Sequence, residues 1–302
     1  MKKYFHIILI LLVSMSFASA AEKLKVVTSL TDLESITKFV GGEHVEVFAI
    51  ATGYQNPHFV DPKPSYILKL SRADMFVTVG LDLETGWVPP LLNSARNADI
   101  IRGGKGYVDA SINVPLLQVP SQLDRAEGDI HIYGNPHYWL DPEIGKIIAQ
   151  NICDGLIRVA PQYSEDFKAN LAIFDQKIDE KLKMWQSMIS PYAGTEIIAY
   201  HNEWPYFETR FGLKIVDFLE PKPGIPPTPS QLAKVINEMN RSGIKIIINS
   251  PYFQAKSADL VARKTGGTVV TLATSVEAFK GVDSYFDLFD YNLKTLVDAL
   301  KK

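Results

Sequence analysis

Residues 164–190 contain neither glycine nor proline, and no other stretch constrains the fold of this chain as strongly. Phe167, Leu171, Phe174, Ile178, Leu182 and Trp185 recur there at steps of three and four, among Lys, Glu, Asp and Gln. That period marks one face of a single amphipathic helix. Ser164 stands where a cap is needed and Pro191 where the helix must stop. At 1.5 Å per residue such a helix spans about 40 Å, the length of a strut rather than of a flexible linker.

On both sides of it, short apolar runs alternate with helical spacing. Strands are expected at 25–28, 45–50, 75–79 and, more weakly, 99–101. After the strut they are expected at 196–200, 214–218, 244–248 and 268–272. The intervening stretches near 33–40, 64–70, 85–95, 147–157, 204–211, 229–240 and 255–264, and the terminal stretch 282–300, carry helical periodicity. Strands alternating with helices predict an α/β fold of two lobes, each a parallel-type sheet flanked by helices, joined by one long rigid helix. The expected division is a first lobe over 21–162, the helix over 163–191 and a second lobe over 192–302.

The N-terminus reads as a signal, not as part of the fold. Lys2 and Lys3 precede an apolar run at 8–13, and Ala18-Ser19-Ala20 supplies small residues for cleavage after Ala20. The apolar run is too short for a bilayer span. Residues 1–20 are therefore expected to be removed on export to the periplasm. The mature chain would carry 29 basic against 34 acidic residues, a formal charge of −5. Without basic clusters it is a poor fit for nucleic acid or for anionic lipid. The single cysteine, Cys153, rules out an internal disulfide, does not sit at the cleavage site where a lipid anchor needs one, and reads as a small buried hydrophobe.

The chemistry lies in the histidines. His6 falls in the signal, and His44, in a Gly-Gly-Glu-His turn, is expected to be exposed. Asn56-Pro57-His58-Phe59-Val60-Asp61-Pro62 recurs as Asn135-Pro136-His137-Tyr138-Trp139-Leu140-Asp141-Pro142, with one extra residue. In each copy proline stiffens the loop, the following aromatic is expected to shield the histidine, and Asp-Pro is expected to open a helix. His201 follows the strand expected at 196–200. It would thus lie at the carboxyl end of a parallel strand, where α/β sheets bind ligands. Two histidines from one half and one from the other can meet in a cleft between them. Neutral imidazole suits zinc and copper.

These segments bring out a family likeness. The motifs at 56–65, 134–142 and 200–213, together with Glu-Pro-Lys-Pro-Gly-Ile-Pro-Pro-Thr-Pro at 220–229, resemble the metal-binding receptor subunits of bacterial ABC importers for zinc and manganese. The resemblance runs from about Leu24 to the C-terminus. It implies a non-enzymatic receptor, a monomer, that holds one metal between its lobes and hands it to a permease in the inner membrane. It implies His58, His137 and His201 as ligands, and His at the third position favours Zn2+ over Mn2+ as cargo. Relatives often add an Asp after the strand expected at 268–272, where this chain has Ala273. Glu203, Asp283, water or His131 are the alternatives for a fourth ligand, with Glu203 preferred. Two other functions share the residue set. One is a zinc hydrolase with Glu203 as base, and the other a receptor for a chelated metal or small organic ligand.

Overall fold

A computed structural model describes residues 22–120, 131–222 and 224–301. The signal expected at 1–20, with its cleavage site, lies outside the described residues. The first lobe runs β1 (Leu24–Thr28), α1 (Thr31–Gly41), β2 (Val45–Ala49), α2 (Pro64–Ser71), β3 (Met75–Thr78), α3 (Val88–Ala95), β4 (Tyr107–Asp109) and α4 (Pro142–Val159). After the long helix α5 (Ser164–Ile189) come β5 (Glu196–Ala199), α6 (Pro205–Phe211), β6 (Lys214–Phe218), α7 (Pro229–Ser242), β7 (Ile246–Asn249), α8 (Lys256–Thr265), β8 (Thr268–Thr271) and α9 (Tyr285–Leu300). The strand orders are β2-β1-β3-β4 and β6-β5-β7-β8, and every ladder is parallel. The two sheets therefore share one topology, and in each the order reverses beside the first strand. Loops at the carboxyl ends there form the crevice expected of such sheets. No helix among the described residues is long and apolar enough to cross a membrane.

The long helix forms as its periodicity predicts, but it is a wall of the core and not only a strut. Phe167, Phe174, Ile178 and Trp185 are buried, and α5 packs on α1, α4 and α9. One apolar cluster runs from Val26 and Phe76 through Phe174 and Trp185 to Phe289 and Ile248, so it joins both sheets. The Trp185 indole N–H donates to Asp290 Oδ1 at 2.8 Å, which ties α5 to α9.

Several local expectations fail for identifiable reasons. Ser164 is the first helical residue and its side chain caps nothing; Glu165 and Asp166 complement the helix dipole instead. No strand forms at 99–101. The Asp99 carbonyl accepts from the Gly106 N–H at 2.7 Å, so the chain turns through its glycines and the edge strand starts at Tyr107. Asp141-Pro142 opens α4, and the Asp141 carboxylate accepts from the Glu143 N–H at 2.9 Å. Asp61-Pro62 opens nothing. Lys63 precedes Pro64, which pushes it into extended backbone, so α2 can begin only at Pro64. Asp283 is exposed, and Ser284 caps α9 in its place.

The lobes also touch away from α5. Thr31 Oγ1 donates to the Val276 carbonyl at 2.7 Å, and Asp32 Oδ1 accepts from the Val276 N–H at 3.1 Å. Gly53 is required at this contact, because a Cβ there would meet the Val276 carbonyl oxygen at 1.9 Å.

Candidate metal centre

The two Asn-Pro-His copies fold alike at their start. Asn56 Oδ1 accepts from the His58 N–H at 3.0 Å, and Asn135 Oδ1 accepts from the His137 N–H at 3.0 Å. Each asparagine thus closes a turn on its own histidine, and proline stiffens the residue between. The first turn is pinned further by the Trp87 indole, which donates to the Pro57 carbonyl at 2.9 Å. The second is pinned by the Tyr138 hydroxyl on the Val79 carbonyl at 2.6 Å. His201 enters from the other lobe, two residues past the end of β5.

The structure brings His58, His137 and His201 together. One ring nitrogen of each lies within 4.8 Å of the other two, a spacing that can hold one metal ion. His137 Nδ1–H donates to Asn135 Oδ1 at 2.9 Å, so its Nε2 presents a lone pair to the cleft. That Nε2 stands 3.2 Å from His58 Nε2, where a proton on His58 or a cation between the rings satisfies the pair. Behind His201, Nδ1 meets Glu220 Oε2 at 2.6 Å. This carboxylate–histidine pair fixes the ring and aims its other nitrogen, as outer partners of metal ligands do. Burial, with the neighbouring histidines, holds His58 and His137 well below the ordinary imidazole range. Both are thereby kept neutral, the form that coordinates.

The other residues singled out in the sequence fall elsewhere. Glu203 lies outside the three-histidine group among the described residues. It is buried, with its oxygens accepting from the Ser250 and Tyr252 hydroxyls, and burial raises its pKa. His131 stacks on His58 with ring centroids 5.0 Å apart, and burial lowers its pKa to about 4. Ala273 is fully buried; its N–H donates to Asn292 Oδ1 and its carbonyl accepts from Asn292 Nδ2, both at 2.7 Å. His44 is not a solvated residue. It stacks on Tyr163 at 3.9 Å and pairs with Asp166 at 2.8 Å, which seats the start of α5.

The expected shielding by the aromatic after each histidine is also corrected. Phe59 is 64% exposed at the cleft mouth, while Tyr138 turns into the core. Trp139 and Phe253 flank the site instead, 5.4 Å from the His137 ring and 5.8 Å from the His201 ring. The cleft over the histidines encloses about 220 Å³.

Residues 26–299 match the family described as zinc-uptake complex component A, periplasmic. The chain belongs to this zinc-uptake component A family. Among curated relatives it is 27% identical to the manganese ABC transporter substrate-binding lipoprotein PsaA of Streptococcus pneumoniae, over 95% of this chain and 92% of PsaA. It is also 27% identical to the zinc-binding protein AdcA of Streptococcus pyogenes serotype M1, over 92% of this chain and 56% of AdcA. A crystal structure of ZnuA shares the fold, with a TM-score of 0.79 at 22% identity over 92% of this chain and 99% of that one. As a member of the zinc-uptake component A family the chain is a metal-binding, substrate-binding receptor of an ABC transporter and not an enzyme, which removes the hydrolase alternative. The relatives are named for both manganese and zinc.

Two residues at the site were not singled out in the sequence: Asn135 and Glu220. Asn135 stood inside the repeated motif as part of its frame. Glu220 is placed by strand register, which no single segment carries. Ala199 pairs with Phe218, so the chains leaving β5 and β6 run side by side and bring Glu220 level with His201.

Proposed function

We propose that the chain is an exported receptor that captures one Zn2+ with His58, His137 and His201 in the inter-lobe cleft and delivers it to an inner-membrane ABC permease. The observation that carries this is the donor set. Three imidazole nitrogens converge, and no carboxylate belongs to the group among the described residues. Imidazole donors suit zinc, whereas manganese prefers oxygen ligands. Water or the nearby His131 ring supplies the fourth ligand in this reading, because both Glu203 oxygens are engaged by the Ser250 and Tyr252 hydroxyls. A cleft of about 220 Å³ is small for a chelated metal or an organic ligand, whose sites run from roughly 300 to 1,000 Å³.

The test is a competition titration of the metal-stripped chain with zinc and manganese against chelators of known affinity. The expected result is one tight zinc per chain and much weaker manganese. Manganese binding as tight as zinc would overturn the zinc assignment.

A further inference from the structure

Asn135 does more than orient a ligand, and its bonding shows how the lobes are joined at the metal. The His137 backbone N–H can only donate, so the Asn135 atom facing it must be Oδ1. Its Nδ2 must then be the donor that reaches the Asn202 carbonyl at 2.8 Å and Gln118 Oε1 at 3.2 Å. The first contact crosses to the second lobe and lands on the residue after His201. Asn202 returns the contact by donating from Nδ2 to Gln118 Oε1 at 2.8 Å. Around the same carbonyls, the Tyr206 hydroxyl of α6 donates to Asn135 O at 3.0 Å and accepts from the Leu117 N–H at 3.1 Å. Asn135 itself is 6% exposed, so its bonds are little screened by water. Gln118 adopts φ 54, a strained left-handed backbone that places its side chain between the two asparagines. The side chain of Asn56, the counterpart in the other copy of the motif, bonds among the described residues only to its own histidine.

We infer that Asn135 is a positioning residue that couples metal ligation to lobe closure through a clasp of Asn135, Gln118 and Asn202. A metal on His137 Nε2 makes Nδ1–H more acidic and strengthens its bond to Asn135 Oδ1. An amide that accepts more strongly at oxygen donates more strongly at nitrogen. The bond to the Asn202 carbonyl tightens, and with it the closed cleft. Only an amide serves both ends, since a carboxylate would accept from His137 and repel the Asn202 carbonyl.

The inference rests on the three-histidine reading, and the experiment separates the two. Zinc release rates and Co2+ absorption spectra would be measured for the wild-type chain, Asn135→Asp, Asn135→Ala and Gln118→Gly. Glycine suits the left-handed backbone at 118, so that variant removes the Gln118 bonds to both asparagines without adding strain and leaves the direct Asn135–Asn202 bond in place. Gln118→Gly should keep the wild-type Co2+ spectrum while releasing zinc about 3- to 10-fold faster, and Asn135→Asp should release it faster too, although its carboxylate strengthens His137 as a donor. Asn135→Ala should also shift the spectrum and bind zinc about 10- to 100-fold more weakly. Release at the wild-type rate from both Asn135→Asp and Gln118→Gly would overturn the coupling and leave the ligand set standing. A wild-type chain that took up neither ion would overturn the ligand set and the coupling with it.

Discussion

At the scale of single residues, some side chains would touch the ion and others hold those side chains in place. His58→Ala, His137→Ala and His201→Ala each delete one of three donors. Each should weaken zinc binding at least about 100-fold by titration, as expected of a direct ligand when even supporting partners cost 10- to 100-fold. His44→Ala should leave zinc affinity unchanged and lower the melting temperature, because it removes the Tyr163 stack and the Asp166 pair that seat α5. Glu220→Gln keeps the shape behind His201 but replaces a charged acceptor with a neutral one. It should cost roughly tenfold in zinc affinity, read by the same titration. The three histidines were legible in the sequence because two repeat a motif and the third follows a strand. Their supports were less so. Glu220 is placed by the pairing of β5 with β6, and the second bond of Asn135 by contact between lobes. Both depend on how distant segments meet, which no local pattern encodes. Asp-Pro misled at 61–62 because a second proline two residues on cancels the first as a helix start.

At the scale of elements, strong periodicity was readable and short edges were not. The helix at 164–189 announces itself through its apolar stripe, whereas β4 is three residues long and depends on the Asp99–Gly106 turn to begin. The contact between α1 and the segment after β8 was also invisible, although it holds a titrating group. Burial raises Asp32 to about 7; its Oδ1 accepts from the Val276 N–H, and the Ser275 hydroxyl also faces it. In the unfolded chain the same carboxyl titrates near 3.9. Folding therefore costs nothing through Asp32 below about pH 4, where both states are protonated. The cost grows as pH rises and levels off above about 7, at roughly 4 kcal/mol at most. Stability should fall through this window by that group's contribution. Asp32→Asn should flatten the fall, read as a smaller loss of melting temperature between pH 5 and pH 8 than in the wild-type chain.

At the scale of the whole molecule, the apolar cluster shared by both sheets makes the lobes one packed body around α5, with the cleft as the place where polar contacts cross. Zinc bridging His58 and His137 to His201 would add a further link across it. The melting temperature should therefore rise with free zinc, by about 2.7 kcal/mol of added stability at 100 times Kd. The same excess of zinc should leave the melting temperature of His201→Ala nearly unmoved. In the proposed function the ion sits among three imidazoles drawn from both lobes. X-ray absorption at the zinc edge on the loaded protein tests it most directly. The expected result is a shell dominated by imidazole scattering, with three nitrogens at about 2.0–2.1 Å, and the loss of one imidazole in His201→Ala. A shell of carboxylate oxygens, or a spectrum unchanged by that substitution, would contradict it.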